Sequence, residues 1–208
     1  MVKPLVEPHV DGIIRLKMTY QEYLERFDED ARVEWVNGEA IVYMPPNEPH
    51  QDAVTLLASL LRFYVDLRDL GMILVAPFEL SLPTGSSREP DIVFLARAHY
   101  DRRTLERWRG PADLAIEFQS ERTANDVLRD KLLDYERSGV RELWILDQHP
   151  RQRSFRGFVL TESRGYEEIP LDANGRFHSI VLPFGSHFSA ILDSFMTTVS
   201  QAPVQASQ

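Results

Sequence analysis

The alternation of apolar and polar positions divides the chain into recognisable elements. Between residues 50 and 69, Val54, Leu57, Leu61, Tyr64 and Val65 recur with a period near 3.6, which predicts an amphipathic helix stopped by Gly71. Val127, Leu128, Leu132 and Tyr135 predict a second helix over 125–138, ended by Gly139. Thr19 followed by Glu22 fits a capping box ahead of a short helix at 20–26. Asn37-Gly38, set between Val33–Val36 and Ala40–Tyr43, is a hairpin signal. Apolar runs predict strands at 73–82, 91–95, 114–119 and 143–147. After Pro150 shorter strand signals follow at 155–160, 166–171 and 177–182, with a turn at Asp172–Gly175. Residues 1–16, broken by Pro4, Pro8 and Gly12, read as an irregular arm. The polar, Arg-rich segment 97–109 reads as helical around Thr104–Trp108.

The sum is an α/β fold: a mixed β-sheet core flanked by helices, with extra C-terminal strands. Its organisation reads as an N-terminal arm (1–17), a single domain (18–197) and a disordered polar tail (198–208).

Composition narrows the function classes. The chain has 208 residues, 43% of them hydrophobic and 26% charged, which is globular composition. No apolar run is long enough to span a bilayer and no leader is visible, so the expected setting is the cytoplasm without membrane contact. There is no Cys, which excludes disulfides, thiolate catalysis and Cys-ligated metals. The formal net charge of −9 argues against a broad basic clamp for duplex DNA. The local exception is segment 97–109, where five Arg stand against Asp101 and Glu106. Only three lysines occur, Lys3, Lys17 and Lys131.

Candidate chemistry centres on two acids. Asp91 follows Glu89-Pro90 at the head of an apolar strand, and Glu117 lies inside a second apolar strand. An acid in that position needs a partner, because an unpaired buried carboxylate is costly. Two such carboxylates on adjacent strands form a site for a hard divalent cation such as Mg²⁺, to which the backbone carbonyl of Phe118 adds a third oxygen. Lys131 falls at i+4 from Val127 and i−4 from Tyr135, close to the apolar stripe of its helix. There its ammonium either snorkels to solvent or points at the carboxylates. Arg129, Asp130, Asp134 and Arg137 fall mostly on the outer faces.

Pro90-Asp91, Glu117-Phe118-Gln119-Ser120, Lys131, Tyr135 and Gly139–Asp147 stand in an order that resembles the Uma-two family of proposed endonucleases, a branch of the PD-(D/E)XK restriction-endonuclease-like superfamily. Glu34–Glu39, the proline loop, His50-Gln51, Pro170–Asp172 and Val181–Pro183 extend the resemblance over about residues 18–195. It implies phosphodiester hydrolysis dependent on Mg²⁺ or Mn²⁺, with DNA as substrate; a homodimer or higher homo-oligomer is the expected assembly. By the same resemblance Asp91 and Glu117 are metal ligands, Glu34 is an outer acid, and His50 contacts a phosphate or leaving group. The superfamily's usual lysine position holds Gln119, so Lys131 becomes the catalytic lysine. A further departure is Val127, where family members often carry Asp; Asp126 lies one residue earlier.

Plainer readings stand beside these. Pro-Asp is a common turn, Glu117 can pair with an Arg such as Arg122, and His50 can serve only the helix start. The competing function class is a catalytically silent nuclease-fold protein that binds nucleic acid or protein.

Overall fold

A computed structural model describes residues 13–28, 31–104, 107–119, 125–148, 154–162, 164–184 and 194–195. The elements in chain order are β1 (Ile13–Lys17), α1 (Tyr20–Arg26), β2 (Val33–Val36), β3 (Glu39–Tyr43), α2 (Glu48–Leu67), β4 (Gly71–Val75), β5 (Glu79–Ser81), β6 (Ser87–Arg88) and β7 (Ile92–Ala96). A 3₁₀ helix (Arg97–Arg102) leads to β8 (Arg107–Arg109), β9 (Leu114–Gln119), α3 (Asn125–Ser138), β10 (Glu142–Asp147), β11 (Ser154–Thr161) and β12 (Gly165–Glu168).

Local chemistry accounts for the boundaries. Asn37 and Gly38 both have positive φ, 50° and 86°, the geometry a two-residue hairpin between β2 and β3 requires. Thr19 and Glu22 close the capping box of α1. Asn47 caps α2 by accepting the His50 N–H, and Pro49 sits in the first turn, where its missing N–H costs nothing. The helix therefore starts two residues before the expected position.

The strands form two sheets rather than one. The first runs β1-β3-β2-β6-β5-β8 and the second β12-β11-β10-β9-β7-β4. Both are mixed, with β5–β8 and β9–β10 as parallel pairs. Alternation along the second sheet separates two cores. Ile92, Phe94, Ile116, Phe118, Trp144 and Leu146 pack with Leu57, Leu61 and Val65 of α2. Val93, Leu95, Ala115, Leu143 and Ile145 pack with Leu128 and Tyr135 of α3. Helix α3 also reaches the first sheet, where Val127 packs with Ile13 and Ile41. It thus lies between the two sheets and can present one side chain to both.

Several expectations need correction. Residues 13–17 are not irregular: they form β1, paired antiparallel with β3. The expected strand 73–82 is two strands in different sheets, because the chain turns through Ala76-Pro77. Within segment 97–109, Arg97–Arg102 form a 3₁₀ helix and Arg107–Arg109 a short strand, with Trp108 buried in β8 rather than helical. Residues 177–182 are not a strand. Instead, Glu142 accepts the N–H groups of Ile180 and Val181 and the Ser179 hydroxyl, so a carboxylate takes the place of a ladder. The tail and Arg122 lie outside the described residues. Among the described residues no helix is long and apolar enough to cross a membrane.

Candidate active site

The site forms where β9, the start of β7 and β2 converge on α3. Antiparallel pairing matches Ile92 with Ile116, so continuing the register by one residue sets Asp91 opposite Glu117. Asp91 turns one oxygen onto the strand itself: Oδ2 accepts the Phe118 N–H at 2.7 Å. The next residue faces the other way, since the Gln119 carbonyl accepts from Gln148 N–H. N–H and C=O of one strand residue point to the same side, so the Phe118 carbonyl is directed toward β7, the side on which Asp91 lies.

Lys131 comes from α3 and is buried. Its ammonium is 2.9 Å from Glu34 Oε1 and 3.1 Å from Glu117 Oε2, and it lies over the Tyr43 ring at 5.0 Å. One turn on, the Tyr135 hydroxyl donates to Glu117 Oε1 at 2.6 Å. The i, i+4 spacing places both donors on one carboxylate. Lys131 therefore joins the two sheets, tying Glu34 of β2 to Glu117 of β9.

Glu34 is fully buried and saturated. Beyond Lys131, its Oε2 accepts from Arg88 Nη1 at 2.9 Å and from the Tyr43 hydroxyl at 2.6 Å, and its Oε1 accepts the Glu89 N–H at 3.1 Å. Arg88 turns its remaining donors onto Asp134 Oδ2, at 2.9 Å from Nε and 2.6 Å from Nη2. The result is a continuous buried chain of charge from Asp134 through Arg88, Glu34 and Lys131 to Glu117.

Asp91 has its own partners. Arg32 Nη2 donates to Oδ1, and His50 Nε2 lies 3.3 Å from the same oxygen. His50 also stands edge-on to Phe118, with ring centroids 5.6 Å apart. The helix-start reading and the site reading are thus both satisfied at His50: its backbone N–H meets Asn47, and its ring meets Asp91.

The electrostatics separate the carboxylates. Burial disfavours charge at Glu34, but Lys131 and Arg88 outweigh it and bring the group down to about 2. Burial is likewise overcome at Asp91 by the His50 hydrogen bond and the Arg32 charge, holding it well below the usual carboxylate range. Glu117 moves the opposite way: burial and the charges of Asp91 and Glu34 outweigh Lys131 and raise it. Glu89 is pushed up to about 8 by burial and by Glu34. The shift favours its neutral form, which lessens the cost of its buried Oε2 having no hydrogen-bond partner among the described residues. For Lys131, burial is outweighed by Glu117 and Glu34, so the amine stays protonated far above neutrality.

Of the residues singled out from sequence, Asp91, Glu117, Phe118, Lys131, Glu34 and His50 converge. Gln119 ends β9, half-buried, on the same strand face as Glu117. Sequence reasoning placed Asp134 on the outer face. The structure buries it against Arg88, because the first sheet covers that side of α3. Arg32, Tyr43 and Arg88 were missed: Arg88 follows a polar turn in an Arg-rich chain and carries no local signal of burial.

Whether the residues suit a divalent cation can be judged from the donors. All are oxygens, the set a hard cation prefers, and the Arg32 guanidinium on Asp91 shows that a cation is accommodated beside that carboxylate. Among the described residues no three His, Asp or Glu side chains converge as a metal cage, so a cation held here would need a main-chain oxygen besides Asp91 and Glu117.

Comparison with known proteins follows the same line. No curated protein matches the sequence. The crystal structure of a "putative nuclease belonging to DUF820" from Anabaena variabilis ATCC 29413 superposes with a TM-score of 0.64 at 16% identity, over 88% of this chain and 99% of that one. This likeness concerns the fold. The model of the Uma2 family, described as "Putative restriction endonuclease", matches residues 19–192, so the chain belongs to the Uma2 family.

Proposed function

We propose that the protein is a metal-dependent endonuclease that hydrolyses phosphodiester bonds in DNA. The observation that carries the reading is the pairing of Asp91 with Glu117 across adjacent strands, with the Lys131 ammonium bound to Glu117. Asp91, Glu117 and the Phe118 carbonyl are the residues that would hold Mg²⁺ or Mn²⁺. Such an ion supplies Lewis-acid polarisation of a phosphoryl oxygen and a water of lowered pKa.

The chain's own groups have separable roles in this reading. Lys131, permanently protonated, presents fixed positive charge to a pentacovalent phosphorane and does not act as a base. Glu34 and Tyr135 hold Lys131 and Glu117 in register, so both are positioning residues. His50 and Arg32 border an adjoining cleft beside Asp91, where a phosphate is within reach of a charged donor. Gln119 contributes at most a hydrogen bond where the superfamily has its lysine.

A specific observation favours a second reading, a catalytically silent binding module: Asp91 is already satisfied by Arg32, His50 and the Phe118 N–H. One measurement separates the two. Under the nuclease reading, Mn²⁺ raises the melting temperature of wild type but not of Asp91→Asn, and Asp91→Ala and Glu117→Ala each abolish Mg²⁺-dependent nicking. If both alanine variants nick as well as wild type, the nuclease assignment is wrong.

A further inference from the structure

A cleft of about 540 Å³ opens from Asp91 and runs between α2 and the chain at Val75–Phe78. Its two walls differ. The helix wall carries Gln51, Thr55 and Ser59, exposed hydrogen-bonding side chains four residues apart and hence stacked on one face. The facing wall is apolar, formed by exposed Val75 and Pro77 and half-buried Phe78. Guanidinium groups mark the two ends: Arg32, with the His50 ring, beside Asp91, and at the far end Arg62, half-exposed, paired across the surface with Asp66 and donating to the Ile73 carbonyl.

We infer that this cleft binds an unpaired strand of nucleic acid leading away from the scissile phosphate. The inference rests on the nuclease reading and adds the substrate's form. The size selects the occupant, since this volume lies in the range of small-ligand pockets and has no room for a double helix. The wall chemistry selects it again. Apolar and aromatic surface takes base faces without sequence preference, while hydroxyl, amide and guanidinium groups take the sugar–phosphate side. From His50 to Arg62 the helix rises 12 residues, about 18 Å. That spans about five nucleotides at 3.4 Å each, and fewer if the strand is extended. The net charge of −9 fits a short local contact better than a long duplex track.

The test uses fluorescein-labelled DNA hairpins, blunt or carrying an unpaired thymidine arm of up to about six nucleotides at either end. Affinity is read by fluorescence anisotropy in Ca²⁺ on the full chain, with cleavage of the same hairpins followed in Mg²⁺. Wild type should bind one arm polarity about tenfold more tightly than the blunt hairpin, as stacking of a single base allows. Ser59→Trp, at an exposed helix position whose indole fills the cleft, should remove that preference with an unchanged melting temperature. Arg62→Ala should remove the last gain on lengthening the arm. Equal affinity for armed and blunt hairpins, or an undiminished preference in Ser59→Trp, overturns the inference; the nuclease reading then stands if the hairpins are still cut. A protein that neither binds nor cuts any hairpin overturns both.

Discussion

Lys131 is the residue whose removal tests the site most sharply. Its ammonium contacts two buried carboxylates at 2.9 and 3.1 Å, and no other lysine lies beyond residue 17. At an effective dielectric near 20, each contact has a Coulomb energy of roughly 5 kcal/mol. Desolvation offsets much of this, and removing one partner of such a buried pair typically costs about 3–5 kcal/mol. The loss is uneven in Lys131→Met. Glu34 keeps Arg88 and Tyr43, whereas among the described residues Glu117 keeps only the Tyr135 hydroxyl. Glu117 is already raised with Lys131 present and rises further without it.

The sign of the pH dependence follows. A carboxyl with a folded pKa above its unfolded value binds more protons in the folded state, so stability falls as pH rises from the ordinary glutamate range through the folded pKa. Lys131→Met should therefore cost about 3–5 kcal/mol at pH 8 and about 1–2 kcal/mol less at pH 5.5. Wild type should depend less on pH across that window, because Lys131 stays charged throughout it and opposes the rise of Glu117. Urea unfolding followed by tryptophan fluorescence at the two pH values measures both numbers. Adding Glu117→Gln to Lys131→Met should recover part of the pH 8 loss. A loss below about 1 kcal/mol, or one equal at both pH values, refutes the view that Lys131 chiefly compensates Glu117.

Three other outcomes are expected. Arg32→Gln frees Asp91 of its guanidinium partner and should tighten Mn²⁺ binding about tenfold, or ~1.4 kcal/mol, in a paramagnetic resonance titration; unchanged affinity would separate Arg32 from the cation site. Gly157→Ala puts a methyl 2.3 Å from the Phe177 ring, which is wedged edge-on between Trp144 and Phe155. It should cost about 1–3 kcal/mol by thermal melting. Glu142→Ala leaves the Trp144 indole N–H and the N–H groups of Ile180 and Val181 without their acceptor. It should cost about 1–3 kcal/mol and speed proteolysis at residues 177–184.

Much of the fold is legible locally because short-range chemistry decides it. The α1 capping box, the Asn37-Gly38 turn and the Gly139 stop each act within a few residues, and these boundaries agree with expectation. The strand at 114–119 agrees because an apolar run bounded by polar residues has few alternatives. The failures share a different cause. Residues 73–82 look like one strand because apolar periodicity does not say which sheet each half joins. Residues 177–182 look like a strand because their alternation serves packing around Phe177 and Leu182, while their N–H groups go to Glu142.

The site divides along the same line. By itself the sequence determined which residues are chemically unusual: an acid inside an apolar strand, another beside a proline, and a lone lysine near an apolar helix face. It determined that a site ligand must be an oxygen or a histidine nitrogen, since no thiol exists. Only the tertiary structure decided that α3 lies between two sheets, which makes Lys131 shared by Glu34 and Glu117, buries Asp134 on Arg88, and brings Arg32 onto Asp91. Those pairings join residues as far apart in sequence as Glu34 and Lys131. Their stability depends on simultaneous desolvation and compensation of charge, and no local pattern of residues encodes that balance.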